Sequence, residues 1–202
     1  MTRAHSIAEA GPAFRIKAQP LDPVAFAPFG EVIGPRERPA VTNRDLLNRG
    51  LVRIEHPVRQ DRLAEFDVLD YWAPVAEISA GTMKFGFLRP RMRPLEVGWF
   101  ERHLLGTQSF VPLGGGRSLF VLAPPNEPFD SPAPPRLEDV RAFVLDGTVG
   151  INLKLGTWHW TPFPLTEGAS FAILVRRDAA ADDLNMIDLV AARGRRIVVD
   201  VV

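Results

Sequence analysis

The chain has 202 residues, of which 46% are hydrophobic, so it is long enough to form one domain with a sizeable core. Lys and Arg together number 24, as do Asp and Glu, and this balance gives no general attraction to nucleic acid or to acidic membranes. The sequence has no apolar run of about 18 residues and no cysteine, which excludes disulfides, zinc–thiolate sites and thiol nucleophiles. We therefore expect a cytoplasmic protein.

Residues Met1–Ala13 lack the apolar core of a signal peptide and are predicted to form a flexible tail, leaving residues 14–202 as a single domain. The domain begins with a predicted strand at Phe14–Lys17. The segment Leu21–Gly30 is typical of a short helix, because Asp22 can cap it and Gly30 can end it. A further extended segment, Glu31–Ile33, follows.

Most of the remaining chain has the pattern of short strands separated by Gly- and Pro-containing turns, which is typical of a β-sandwich or barrel. The predicted strands are Leu51–Ile54, Thr82–Leu88, Leu95–Phe100, Gln108–Val111, Ser118–Leu122, Val140–Leu145, Gly150–Leu153 and Ser170–Val175. Asp146-Gly147 between two apolar runs predicts a hairpin. Asp61–Leu69 is predicted to contain a helical turn.

Three other segments complete the pattern. Gly114–Gly116 predicts a turn, and it lacks the Lys and helix of a phosphate-binding loop, so we expect no nucleotide cofactor. Pro124–Pro135 contains six prolines and is interpreted as a surface loop. The β-branched run Ile197–Val202 predicts a last strand, paired with the domain or with a second subunit, because an uncovered edge favours aggregation.

The residues suited to catalysis or metal binding fall in two segments. Glu101 and His103 are two apart, and strand residues at this spacing point to the same face. Gln108 follows a glycine that allows a bend, so it can return to that face. In the second segment, His159 lies between Trp158 and Trp160, whose rings can be buried while the imidazole points the other way. Carboxylate, imidazole and carboxamide groups together suit a divalent metal.

These segments resemble the two cupin motifs, with Glu101-x-His103, Gln108 and Gly114 in the first and Gly156-x-x-His159 in the second. The chain resembles the ureidoglycolate lyase family more specifically. The blocks that carry this resemblance are Pro20-Leu21, Phe29–Ile33, Asn48–Val52, Glu101–Pro112, Arg141–Phe143 and Trp158-His159. The resemblance covers about residues 14–188 and implies an all-β, cupin-type double-stranded β-helix or jelly-roll barrel with a few short helices.

The resemblance implies a carbon–nitrogen lyase that cleaves ureidoglycolate to glyoxylate and urea in purine catabolism. It implies that Glu101 is a base or metal ligand, that His103 and His159 are ligands or proton carriers, and that Gln108 is a ligand or substrate donor. It also implies a divalent metal and a homodimer. The sequence does not distinguish nickel, zinc or manganese.

Other residues have alternative interpretations. Lys84 and Arg89, with Arg91 and Arg93, form a basic cluster that can bind a substrate carboxylate or can face solvent. Arg102 alternates with its neighbours, so it is expected to face away from the site, at a surface or interface. His5 and His56 are interpreted as ordinary surface residues.

The chain also departs from the family pattern. Apolar or small residues replace polar family residues at Gly98, Trp99, Leu153 and Trp160. Two alternatives follow, a cupin enzyme that acts on a more apolar carboxylate or amide, and a cupin that binds a small molecule without catalysis.

Overall fold

The computed structural model describes residues 12–35, 41–42, 70–71, 75–79 and 81–201. The chain divides into two compact units, residues 1–32 with 76–202 and residues 33–75. The first unit contains the two large sheets, and the second contains a small two-stranded sheet. A single domain over residues 14–202 stays a prediction.

The elements are short, and nearly all of them are strands. The strands are β1 Phe14–Pro20, β2 Gly30–Ile33, β3 Val41–Thr42, β4 Asp70–Tyr71, β5 Met83–Leu88, β6 Glu96–Val97, β7 Trp99–Arg102, β8 Gln108–Leu113, β9 Ser118–Ala123, β10 Arg141–Leu145, β11 Gly150–Leu153, β12 Trp158–His159, β13 Phe163–Pro164, β14 Ser170–Arg176, β15 Asn185–Asp188 and β16 Ile197–Asp200. The helices are α1 Pro23–Phe26, α2 Ala179–Asp182 and α3 Leu189–Arg193, with a 3₁₀ turn at Leu137–Asp139.

The strands of the first unit form a nine-stranded sheet and a five-stranded sheet. In the nine-stranded sheet the order is β15-β7-β12-β9-β10-β1-β16-β6, with β13 also paired to β9. The five-stranded sheet has the order β2-β11-β8-β14-β5. Most pairs are antiparallel, while β1 runs parallel to both β10 and β16. The fold is therefore the all-β, cupin-type jelly-roll barrel that the sequence predicts.

Two apolar clusters lie on opposite faces of the nine-stranded sheet. Between the sheets, alternate residues of β9 and β10, including Phe120, pack with residues of the five-stranded sheet, including Phe110 and Phe171. On the other face, the intervening residues pack with Leu189 of α3 and with Trp158. Because strand residues alternate between faces, β9 is buried on both sides along its whole length.

The predicted strands in the described residues are confirmed with small changes of their ends. The predicted strand Leu95–Phe100 is interrupted at Gly98, which separates β6 from β7. Asp22 caps α1 as predicted, with its Oδ1 accepting a hydrogen bond from Ala25 N at 2.8 Å, but the helix has only four residues. The predicted segments Leu51–Ile54 and Asp61–Leu69 lie outside the described residues, as do His5, His56 and the Asn48–Val52 block.

One interpretation of strand pairing is wrong. The Asp146-Gly147 turn does not join a hairpin, because β10 pairs in the nine-stranded sheet and β11 in the five-stranded sheet. Gly147 has φ +94°, and a Cβ there would lie 2.4 Å from the backbone of Gly115, so close packing of two turns requires a glycine. The last strand, β16, is paired within the domain, the first of the two predicted alternatives, with β1 and β6 on its two sides.

Candidate active site

Glu101 and His103 project from the end of β7 toward the space between the sheets. Glu101 is directly opposite His159 of β12 in the antiparallel register, so the two side chains share one face. The ring of His159 lies 6.4 Å from the ring of Phe110, which belongs to the apolar cluster between the sheets. The ring of His103 lies 5.5 Å from that of His159. The structure thus brings together the three residues for which the sequence predicts catalytic roles.

Of the tryptophans beside His159, Trp158 is buried and Trp160 is partly buried on the opposite face, as predicted. Trp158 is 2% exposed and belongs to the cluster outside the barrel, against which Trp160 also packs. Alternation along the strand then directs His159 to the interior. The apolar neighbours therefore fix the direction of the imidazole, which is itself only 2% exposed.

Both imidazoles have one nitrogen fixed by a backbone carbonyl. The Nδ1 atom of His103 lies 2.9 Å from the carbonyl oxygen of Asp183, and that of His159 lies 3.0 Å from the carbonyl oxygen of Thr157. A carbonyl oxygen only accepts hydrogen bonds, so each Nδ1 carries the proton in the neutral ring. Each Nε2 atom then keeps its lone pair, the form that binds a metal or accepts a proton.

The Nε2 atom of His159 is 3.3 Å from Oε1 of Glu101. This contact lacks the alignment of a hydrogen bond, and His159 Nε2 is buried with no hydrogen-bond partner among the described residues. One ligand atom each from Glu101, His103 and His159 lies within 4.8 Å of the other two. Ligand atoms about 2.1 Å from a metal are about 3 to 4 Å apart, so small shifts suffice for a shared ion. The residues therefore fit a divalent metal.

The surroundings also set the protonation of the site. Burial acts to raise the pKa of Glu101, but the contact with His159 and the charge of nearby His103 outweigh it, so the pKa lies below its ordinary value. Burial and the neighbouring His159 lower the pKa of His103, and the carbonyl of Asp183 and the nearby carboxylates oppose this only in part. At neutral pH the site therefore holds a carboxylate beside a neutral imidazole.

Gln108 lies at the start of β8, on the same face as Phe110, and therefore points into the barrel. Its Oε1 atom is buried and has no hydrogen-bond partner among the described residues. An unpaired buried carbonyl oxygen is costly, so this atom is suited to a ligand that the protein itself does not supply. The position is consistent with the predicted role near the site.

The two basic residues predicted to bind substrate differ in position. Lys84 of β5 is opposite Val175 of β14. Leu174 is opposite Ser109 of β8, so the next pair in this register is Val175 and Gln108. Lys84 and Gln108 therefore lie in one row across the sheet, on either side of Val175. Lys84 is therefore on the face that looks into the barrel. Arg89 instead lies over the ring of exposed Phe87, 5.3 Å from its centroid. Phe87 alternates with Gly86 and Leu88, so its ring is on the outer face of the sheet.

The expectation of a surface position for Arg102 is wrong, although the residue does face away from the site. Arg102 is 2% exposed, and its guanidinium lies 4.4 Å from the ring centroid of Trp158. It donates hydrogen bonds to the carbonyl oxygens of Phe129 and Ser131, at 3.3 and 2.8 Å. Arg102 therefore anchors the predicted proline-rich loop to the barrel wall.

Sequence reasoning missed Asp183, the acceptor for His103, which is 80 residues away in the chain and carries no local signal. Met186 was also missed. It is opposite Glu101 on β15, so it shares a face with Glu101 and Trp99. Trp99 and Met186 are 44% and 47% exposed, so two exposed apolar side chains share the face of Glu101.

No helix in the described residues is long and apolar enough to span a membrane. The family model described as ureidoglycolate lyase matches residues 13–193 of the chain. A ureidoglycolate lyase of Burkholderia mallei is 34% identical over 174 residues, covering 84% of this chain and 86% of the relative. Those of Azotobacter vinelandii and Pseudomonas aeruginosa are 31% and 32% identical, covering 81% and 80% of this chain and 86% and 83% of the relatives.

Proposed function

The chain belongs to the ureidoglycolate lyase family of enzymes, and we propose that it cleaves ureidoglycolate to glyoxylate and urea. The observation that carries the proposal is the convergence of Glu101, His103 and His159 inside the barrel. The first two residues belong to the Glu101–Pro112 block, through which the sequence resembles the family most specifically.

The substrate is a hemiaminal, in which one carbon carries a hydroxyl group and the ureido nitrogen. A base removes the hydroxyl proton, the carbon–oxygen double bond of glyoxylate forms, and the carbon–nitrogen bond breaks. The ureido nitrogen takes up a proton and leaves as urea. This reaction needs one proton acceptor and one proton donor close to a single carbon atom.

The chain supplies both groups. Glu101 is ionised and can accept the hydroxyl proton, and His103 and His159 can carry protons through Nε2. We propose that Glu101, His103, His159 and Gln108 hold a divalent metal. When bound, such a metal acts as a Lewis acid and lowers the pKa of the substrate hydroxyl. Glu101 is then a ligand as well as a candidate base.

Lys84 is the better supported of the two predicted basic residues for binding the substrate carboxylate. It shares the interior face and the row of Gln108, whereas Arg89 stacks on an outward-facing ring. We therefore propose Lys84 and Gln108 as substrate-binding residues. Substrate binding by Arg89 stays a prediction from the sequence. A cytoplasmic location also stays a prediction.

We also propose that the protein is a homodimer, and that the outer face of the five-stranded sheet forms the interface. Phe85 and Phe87 on β5 are 83% and 61% exposed, and Val111 on the same face is 40% exposed. Large exposed apolar patches mark protein interfaces. This face replaces β16 as the predicted contact, because β16 is covered on both sides.

Release of urea and glyoxylate from ureidoglycolate by the purified protein tests the proposed activity, with and without a chelator. We expect both products in a 1:1 ratio, and loss of activity with chelator that added metal restores. A protein that binds ureidoglycolate without producing urea would support the binding cupin instead. If a chelator leaves turnover unchanged, the proton-transfer roles stand and the proposed metal is ruled out.

The alternative of a more apolar substrate is favoured by one observation, the exposed apolar side chains of Trp99 and Met186 on the face of Glu101. Of the four departures from the family pattern, Leu153 belongs to the interior apolar cluster and Trp160 packs on the outer one. Trp99 alone combines exposure with a position on the face of Glu101. A higher kcat/KM for an N-alkylated analogue than for ureidoglycolate would establish this alternative.

A further inference from the structure

His103 is the one member of the three converging residues that lies outside a strand. Strand β7 ends at Arg102, and the chain then turns through Leu104 and Leu105 before β8 begins. The sheet register that fixes Glu101 opposite His159 therefore does not extend to His103. Another contact must hold the imidazole in place.

Asp183 contacts this turn at three atoms. Its Oδ1 accepts a hydrogen bond from Leu104 N at 2.7 Å, and its Oδ2 accepts one from Leu105 N at 3.0 Å. Its backbone carbonyl oxygen lies 2.9 Å from His103 Nδ1. A single residue thus fixes both the backbone after His103 and the orientation of the ring.

Asp183 is itself held firmly. It is 2% exposed, and its backbone N–H donates to the carbonyl oxygen of Ala179, closing the end of α2. The preceding residue, Asp182, forms an ion pair with Arg176 of β14. On the other side of the turn, Gly156 N donates to the carbonyl oxygen of His103 at 2.7 Å. The turn is therefore fixed between two parts of the chain.

We propose that Asp183 is a positioning residue that keeps His103 ready to bind metal. The carboxylate fixes the turn, and the carbonyl oxygen holds the proton on Nδ1, so the lone pair of Nε2 faces Glu101 and His159. Hydrogen-bonded partners of metal-binding histidines act in this way in other sites, and their loss weakens metal affinity about 10- to 100-fold. This inference rests on the proposed metal site, but its claim about the ring can be tested without metal.

Asp183→Asn tests the proposal. The amide oxygen still accepts a hydrogen bond from one of the two backbone N–H groups, Leu104 or Leu105, but the amide N–H groups face the other, and two donors repel each other. Asp178→Asn is the matched control, since it makes the same change just before α2, where the carboxylate pairs with exposed Arg177. Nickel titration of the metal-free protein measures affinity, and ¹⁵N NMR of the histidine rings measures which nitrogen of His103 carries the proton.

We expect Asp183→Asn to weaken nickel binding 10- to 100-fold and to give a mixture of the two ring tautomers of His103. Asp178→Asn should remain within about twofold of the wild-type affinity, with the proton on Nδ1. Wild-type nickel affinity and tautomer in Asp183→Asn would overturn the proposal. So would a wild-type, metal-free protein in which His103 carries its proton on Nε2.

Two further outcomes keep the test decisive. If Asp183→Asn does not fold, Asp183→Glu takes its place, since it retains the charge but displaces the carboxylate oxygens by one methylene. The same fall in nickel affinity and the same mixture of His103 tautomers are then expected. If the wild type binds no nickel, manganese or zinc but Asp183→Asn still changes the tautomer, the metal site fails and the positioning role stands. Lyase activity is measured separately and decides only the proposed reaction.

Discussion

Oε1 of Glu101 lies 3.3 Å from Nε2 of His159, and the two residues are directly opposite each other on neighbouring strands. The imidazole is held by Thr157 through its other nitrogen, so its lone pair faces the carboxylate. A proton or a metal ion bound between these two electron-rich atoms would remove their repulsion.

Glu101→Gln and His159→Asn should each reduce kcat/KM on ureidoglycolate by about 10²- to 10⁴-fold, the range expected for loss of a positioned acid or base. Metal affinity should fall in the same variants. Glu138→Gln is the control, because Glu138 is exposed and lies in the 3₁₀ turn away from the site. Full turnover by a folded His159→Asn protein would contradict the assignment.

Arg102→Ala should destabilise the protein and leave the chemistry largely intact. The change removes two charged hydrogen bonds and a contact with Trp158, and we expect a loss of roughly 2 to 4 kcal/mol in the free energy of unfolding. Denaturant unfolding measures the loss, and initial rates at low temperature measure activity. A large fall in kcat with unchanged stability would place Arg102 in the site instead.

The free energy of unfolding of the metal-free protein should fall on acidification. The pKa of His103 is lowered on folding, so the unfolded chain takes up this proton first, and stability declines as pH falls below the ordinary value of 6.5. The pKa of Glu101 is also lowered, so a second loss begins as pH falls through its ordinary value of 4.5 and ends below the folded pKa.

Denaturant unfolding between pH 8 and 4 measures this dependence, and His103→Gln should remove the part that begins near pH 6.5. Metal affinity should decrease over the same upper range, because protons compete for Nε2. Stability that rises as pH falls from 7 to 5 would show that the pKa of His103 is raised in the folded protein.

Phe85→Lys should weaken or abolish the proposed dimer, because it places a charge in an apolar contact. Truncation of a central aromatic residue typically costs more than 1 kcal/mol, which is a fivefold or larger change in the dissociation constant. Light scattering over a range of concentrations gives the mass. Val24→Lys is the matched control, since Val24 is 82% exposed but lies on α1. A wild-type monomer at high concentration would rule the interface out.

Trp99→Ala should raise KM about 5- to 10-fold with little change in kcat, because the indole borders the site and takes no part in proton transfer. Trp99→Phe should retain most of the binding, since an aromatic face remains. Steady-state kinetics separate the two constants. An equal fall in kcat and kcat/KM would show instead that Trp99 acts in the transition state.

The sequence alone was sufficient for features that depend on local spacing. Alternation predicts that Glu101 and His103 share a face, and their ligand atoms do converge, although His103 lies just beyond the strand and is held by Asp183. The flanking tryptophans predict that His159 points away from their cluster, and the structure confirms this. Short strands with turn signals predict the barrel. Asp22 predicts a cap that α1 indeed has. Each of these depends on neighbours within a few residues, where backbone geometry is nearly fixed.

Only the tertiary structure decided which distant segments meet. The register that places His159 opposite Glu101 joins residues 58 positions apart, and Asp183 reaches His103 across 80. Asp146-Gly147 has the local signal of a hairpin, yet its strands enter different sheets. The β16 strand is covered inside the domain rather than left as an edge. Strand pairing follows from which apolar faces are buried together, and no single segment contains that information.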